Sequence, residues 1–312
     1  MKVSPGVRRA LTLLLVAAAA WYLYDAIADN RQALVDFDWR VRPGLVAASV
    51  AAHVAVLAWG VWVWSRVLRF FEHPPVGLGM LLRIWFLSNL ARYIPGKVFQ
   101  FLAVAQLSRA AGLSGAVLLT SIVVHTGFAL LSAMLISAWT LVGPSFPTLP
   151  AAWIGAAATV LAILFVHPRF LNAALGVLPR LLGREVIRWN GSWTDGIGVL
   201  ALSVVSWAFY GVAYWMLLAS LAAVPAREIA MLSGVNAFSF VAGYMAVVTP
   251  GGLGVREAAM TRLLLPLVPE SVGAVLSVAS RLWTIAAELV GGALTLLLVR
   301  RAVAHGAAVE SS

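Results

Sequence analysis

Polar positions in this chain are few and clustered, and the runs between them are apolar for 16 residues or more. A hydrocarbon core of roughly 30 Å takes about 20 helical residues to cross. Runs at about 10–27, 44–64, 114–142, 151–166, 197–221 and 271–299 therefore predict about six full spans. None shows the alternation at every second residue that a membrane barrel strand requires. The predicted fold class is all-α: a polytopic membrane protein forming a single integral domain over 1–312.

Two other apolar stretches are broken where a span should continue. Leu78 to Ile94 meets Pro95-Gly96, and a second leg runs from Lys97 to Ala111. At 1.5 Å per residue these legs reach only about 25 Å and less. Ile229 to Val248 likewise meets Pro250-Gly251-Gly252-Leu253-Gly254, followed by a leg from Val255 to Val268. Proline removes a backbone donor and glycine permits a sharp turn. Such backbone is tolerated at membrane depth only when buried in protein or lining a polar cavity. Both stretches are predicted to be re-entrant hairpins. Between the spans, the polar stretch from about Pro168 to Gly196 carries Leu171, Leu175 and Leu178 at helical spacing beside Arg169 and Arg180. That pattern predicts an amphipathic segment lying on the membrane surface. The cluster Trp59, Trp62 and Trp64 is expected to form an interfacial belt.

The two broken stretches are followed by similar spans. Gly115-Ala116-Val117-Leu118 recurs as Gly273-Ala274-Val275-Leu276, and seven of the nineteen positions from 115 to 133 are identical at this offset. Chance in so Ala- and Leu-rich a chain supplies roughly two or three. The repeat units are about 78–142 and 229–299, each an apolar leg, a break, a basic leg and a span. Three crossings separate the hairpins, so an inverted-topology repeat is expected, a form that places sites near the midplane at broken helices.

Composition agrees with this reading: 62% of residues are hydrophobic and 11% charged, against about 25% charged in an average soluble domain. The net charge of +10 is assigned to orientation rather than to nucleic acid, because Lys and Arg gather in short loops and at Arg300-Arg301. By that rule both termini are cytoplasmic. There is no cysteine and no His-x-x-x-His pair, and neither a metal site nor a cofactor is predicted. Gly252-Leu253-Gly254 follows no strand, which removes a dinucleotide fingerprint.

The candidate site sits at the breaks. A helix that starts after a Pro-Gly turn offers free N–H groups and a positive dipole end, which suits an anion. Lys97 begins one such leg and Arg256 the other, behind glycines that let backbone approach a ligand. Candidate substrate-binding residues are Arg92, Lys97, Arg256, Glu257, Arg281 and Glu288; Pro95, Gly96, Pro250, Gly251, Gly252 and Gly254 shape the breaks. Charge inside a membrane is functional by default. The competing structural roles are a snorkelling Arg92, an Arg256–Glu257 pair, and pairing of Arg281 or Glu288 with each other or with hairpin charges. Asn89 and Asn236, 6 and 14 residues before the breaks, are expected to bond freed carbonyls. His125 is expected to be a hydrogen-bonded interior histidine rather than a proton relay.

Arg92-Tyr93-Ile94-Pro95-Gly96-Lys97-Val98 and Pro250-Gly251-Gly252-Leu253-Gly254-Val255-Arg256-Glu257, in this order, resemble the lysylphosphatidylglycerol synthase transmembrane family. The resemblance covers about residues 10 to 300 and implies a flippase-like region of the bacterial inner membrane. The family's soluble synthase domain has no counterpart in the sequence, so lysyl transfer is not carried over. Many members have a Glu-Arg pair in the span after the first break; this chain has Val124-His125, so no charge-coupled role is carried to that position. The expected partners are membrane lipids, with an anionic headgroup or a polyprenyl phosphate, together with a separate soluble synthase. The function expected is translocation or binding of such a lipid. The alternatives are an integral-membrane transferase, for which Glu257 is the one acid near the breaks, and a membrane partner of a synthase encoded elsewhere.

Overall fold

In a computed structural model, residues 21, 24, 28, 31–72, 75–91, 112, 114–145, 150–181, 186–246 and 252–310 are described. Every regular element among them is helical. In chain order these are α1 (Arg31–Val35), α2 (Pro43–Leu68), α3 (Leu78–Ala91), α4 (Gly115–Ser145), α5 (Ala151–Phe165), α6 (Pro168–Leu181), α7 (Trp193–Leu221), α8 (Ile229–Met245), α9 (Val255–Leu263) and α10 (Glu270–Glu310). A 3₁₀ turn, Ala226–Glu228, leads into α8.

Four helices are long and apolar enough to cross a membrane: Pro43–Leu68, Gly115–Leu141, Trp193–Leu221 and Glu270–Leu297. A fifth span results if Ala152–Phe165 and Pro168–Val177, bent by 71° at their junction, are taken together. The sixth expected span, 10–27, falls almost entirely outside the described residues. Helix α5 has 15 residues, about 22 Å of rise, so the chain turns before a full hydrocarbon thickness is traversed. The amphipathic segment expected after it is helix α6. Asn172 pins α6 to the following loop, accepting the Trp189 N–H at 2.8 Å and donating to the Trp189 carbonyl at 3.0 Å.

Helix α7 begins four residues earlier than the apolar run suggests, and a capping box explains it. The Ser192 hydroxyl accepts the Asp195 N–H at 3.2 Å, and Asp195 accepts the Ser192 N–H at 2.8 Å. Two backbone donors that the first turn would otherwise leave open are thereby satisfied.

The chain divides into two compact units. The first comprises 1–50, 129–162 and 204–283; the second comprises 51–128, 163–203 and 284–312. Helices α2, α4, α5, α7 and α10 each contribute one portion to each unit. Helices α8 and α9 belong wholly to the first unit, and α3 and α6 wholly to the second.

The first unit is built around Ala133, Trp207 and Ala237, with Ile136, Tyr210, Phe240 and Val241 packed on them. The Trp207 indole donates to Ser132 Oγ at 3.1 Å and the Ala129 carbonyl at 3.2 Å. Small residues bring the helices close: a Cβ on Gly211 would collide with Ser233, and one on Gly234 with Thr140. Close approach through small residues is the usual basis of helix association where lipid removes the hydrophobic driving force.

The second unit has an aromatic core. Trp64 is fully buried and donates to Ser121 Oγ at 3.1 Å. Its ring lies 6.2 Å from Trp85, which meets His125 edge-on at 6.0 Å. Trp64 is thus a core residue and not part of an interfacial belt, because a hydroxyl inside the unit satisfies its N–H. Trp62 carries the Arg66 guanidinium 4.5 Å from its ring centroid, a cation–π contact. His125 is buried but its Nδ1 has no hydrogen-bond partner among the described residues, so the expected hydrogen bond is not seen there at that nitrogen.

Candidate functional site

The second break is where the structure gathers candidate residues. Helix α8 ends at Met245, and the return leg begins at Gly252. Gly252 has φ +68°, and a Cβ there would lie 2.5 Å from the Gly243 Cα and carbonyl oxygen. Gly254 has φ +83°. Both lie in the left-handed region that side chains disfavour. The glycine freedom at 252 therefore serves a backbone-to-backbone contact within the hairpin rather than a ligand's approach. Gly243 in turn leaves room for Arg256, whose Cβ would stand 3.1 Å from a Cβ at 243.

Helix α9 opens directly after Gly254. Glu257, at its third position, reaches back so that its Oε2 accepts the Gly254 N–H at 2.6 Å. This is one half of a capping box; glycine has no side chain to supply the other half. The second oxygen, Oε1, accepts Arg281 Nη1 at 3.2 Å. Glu257 has a side-chain exposure of 6% and Arg281 of 25%, so this is a largely buried ion pair joining α9 to α10. Of the structural roles open at these positions, Arg281 takes pairing with a hairpin charge, and Glu257 pairs with Arg281 rather than with Arg256. At the far end of α9, Arg262 and Glu270 pair at 3.4 Å. Between the two ion pairs, Thr261 donates to the Glu257 carbonyl at 2.9 Å and Ser280 donates to Met260 Sδ at 3.2 Å. The basic leg is thus fixed against the last helix along its length.

Arg256 is positioned differently. It is half-buried, and its Nε is buried with no hydrogen-bond partner among the described residues. A guanidinium nitrogen left in this way costs about 1–3 kcal/mol or more unless something outside those residues satisfies it. On α8, Asn236 and Ser239 are almost wholly buried, and neither Asn236 Nδ2 nor Ser239 Oγ has a partner among the described residues. The expected bond from Asn236 Nδ2 to a freed carbonyl is therefore not made.

Tyr214, on α7, was not singled out by the sequence. It is fully buried, and its hydroxyl has no hydrogen-bond partner among the described residues. Its ring is 6.1 Å from Trp283, and Tyr210 meets the same indole edge-on at 5.7 Å. One of two tyrosines within a 29-residue apolar helix carries no sequence signal. The lack of a partner among the described residues is what separates it from a packing residue.

Glu288 is buried, with 6% exposure, and belongs to the second unit, whereas Arg281 belongs to the first. Arg92, Pro95, Gly96, Lys97, Pro250 and Gly251 lie outside the described residues.

A match to the family described as "Lysylphosphatidylglycerol synthase TM region" spans residues 9–292. No curated protein matches the chain. The match covers most of the sequence, and the chain belongs to this family: it is a multi-pass membrane protein, and the family relates it to membrane lipids.

Proposed function

We propose, on the basis of that family membership, that this protein binds and translocates lipids bearing an anionic phosphate headgroup, either a phospholipid or a polyprenyl phosphate. The observation that carries the reading is Arg256 Nε, without a partner among the described residues, at the start of α9, next to a glutamate already committed to Arg281 and Gly254. A positive side chain beside a helix N-terminus attracts anions. Neutralising Glu257 with Arg281 leaves the local charge positive. Lys97 and Arg92 would supply the equivalent cations at the first break, and Glu288 would shape the cavity.

The re-entrant hairpins at the two breaks belong to the same reading. With three crossings between them, the hairpins would enter from opposite faces, as in inverted-repeat transporters. The same scheme puts both termini in the cytoplasm of a bacterial cell, where a separate soluble synthase could deliver a lipid product. The transferase alternative needs Glu257 as an acid or base, and the engagement of both its oxygens weighs against that.

The test is reconstitution into liposomes with fluorescent phosphatidylglycerol, phosphatidic acid and a polyprenyl phosphate, read by dithionite quenching. Protein-dependent movement of at least one, reduced in Arg256→Gln, is expected. Unchanged movement for every headgroup would remove the translocation claim.

A further inference from the structure

We infer that the first unit carries a further lipid site, separate from Arg256: a cavity where α2 begins and α7 ends, which holds the phosphate of an anionic phospholipid between Arg42 and Arg227. The cavity measures about 540 Å³, and Arg42, Leu45, Trp215, Ala223, Val224 and Arg227 are among the residues that line it. Sites for small molecules span about 300–1,000 Å³. Every residue lining the cavity belongs to the first unit.

The cavity is held open by bonds between distant parts of the chain. Helix α2 starts at Pro43 and α7 stops at Leu221. The Arg40 and Arg42 N–H groups donate to the Leu221 and Ser220 carbonyls at 3.0 and 2.9 Å, which ties the two helix ends together. The Trp215 indole N–H donates to the Val224 carbonyl at 3.0 Å and so fixes the turn that forms one wall. A wall fixed in advance reduces the ordering cost of binding. Two span-length helices end here, which puts the cavity at the depth where spans meet headgroups. In the orientation proposed above this is the outer face; the site does not depend on that orientation.

The lining has two kinds of surface. Leu45, Ala223 and Val224 are apolar, and Trp215 presents only its ring because its N–H is already used. The charged part is basic. The acids close by in sequence are engaged: Asp36 accepts from Gln32, Asp38 pairs with Arg40 at 2.8 Å, and Glu228 pairs with Arg227 Nε at 3.2 Å. Arg42 makes no ion pair among the described residues. Two guanidinium groups against one carboxylate leave a net positive charge, and their planar forks match phosphate oxygens. The apolar wall beside them suits the ester and first acyl carbons of a lipid, which a free phosphate lacks. Arginines that only snorkel from helix ends would confer no preference among headgroups, and that difference is measurable.

The experiment uses the full-length protein in detergent and native mass spectrometry. The probes are dioctanoyl phosphatidylglycerol, dioctanoyl phosphatidylcholine and inorganic phosphate. The unaltered protein should retain phosphatidylglycerol in preference to phosphatidylcholine. The double variant Arg42→Gln, Arg227→Gln should weaken phosphatidylglycerol about tenfold, the scale of charge-assisted hydrogen bonds partly screened by solvent, and leave phosphatidylcholine unchanged. Ala223→Trp, at an exposed position on the wall, should fill the cavity and weaken phosphatidylglycerol as well. Unfolding midpoints should stay unchanged, because Arg227 is 83% exposed and Arg42 holds α7 through its backbone. Inorganic phosphate at the same concentration should not displace the lipid; displacement would overturn the lipid assignment in favour of a free anion. Equal weakening of phosphatidylcholine in the double variant would overturn the role of charge. Phosphatidylglycerol retained in full by both the double variant and Ala223→Trp would overturn the cavity as a site, and loss in Arg256→Gln alone would then leave the reading of Arg256 standing. Loss in the double variant with none in Arg256→Gln would support the cavity and count against that reading.

Discussion

Replacing Glu257 by Gln removes one charge from the pair that fastens the second hairpin to the last helix. At 3.2 Å and an effective dielectric of about 20, the attraction between unit charges is about 5 kcal/mol. Desolvation offsets much of this, and removing one partner of a buried pair typically costs about 3–5 kcal/mol. Arg281 retains a quarter of its side-chain exposure, which places the expected loss lower, at about 2–3 kcal/mol. For a chain of this length that corresponds to a fall of roughly 4–6 °C in unfolding midpoint, measurable by intrinsic fluorescence of the detergent-purified protein. Glutamine can still accept the Gly254 N–H, so the cap is weakened rather than lost. Arg281→Gln alone should destabilise to a similar extent, because it strands a carboxylate that is 5% exposed. The double variant should lose less than the sum of the two by about 1 kcal/mol or more. Strict additivity, or a Glu257→Gln midpoint within a degree of the unaltered protein, would refute the ion pair as the tie between α9 and α10.

Two further substitutions test the surrounding structure. Gly252→Ala adds a methyl group at φ +68° and 2.5 Å from the Gly243 backbone. Left-handed strain and overpacking together should cost about 2–5 kcal/mol, visible as a lower unfolding midpoint, whereas Gly77→Ala, which meets nothing within 4 Å, should be neutral. Asn172→Ala removes both bonds to the Trp189 backbone; hydrogen exchange across 186–192 should accelerate while the amides of α7 stay protected, and an unchanged rate in the loop would show that the asparagine does not hold it.

The class of fold was legible because it depends on properties that act locally. An apolar run of span length has few places to go but across a bilayer, and the helices at 43–68, 115–141, 193–221 and 270–297 follow from that. The start of α7 was equally local, in Ser192 and Asp195, but a reading led by hydropathy passes over a capping box. The break before Arg256 was marked by its glycines, two of which do take positive φ. Their purpose was not marked: Gly252 makes room for Gly243, nine residues earlier, and sequence spacing does not reveal a backbone contact.

What the tertiary structure decided was which polar groups are satisfied. The sequence offered Glu257, Arg256, Arg281 and Glu288 as equivalent intramembrane charges. Packing of α9 on α10 brings Glu257 to Arg281, 24 positions away, and so joins two of the candidates in an ion pair. The same packing leaves Arg256 Nε without a partner among the described residues and so separates it from its neighbour. Trp64 and Tyr214 make the point in opposite directions: the indole of one donates to Ser121, while the hydroxyl of the other meets no partner among the described residues. Chain composition and periodicity determine that a helix forms and where it breaks, since those depend on neighbours a few residues apart. Whether a buried donor meets an acceptor depends on which distant helix stands opposite, and only the folded arrangement settles that.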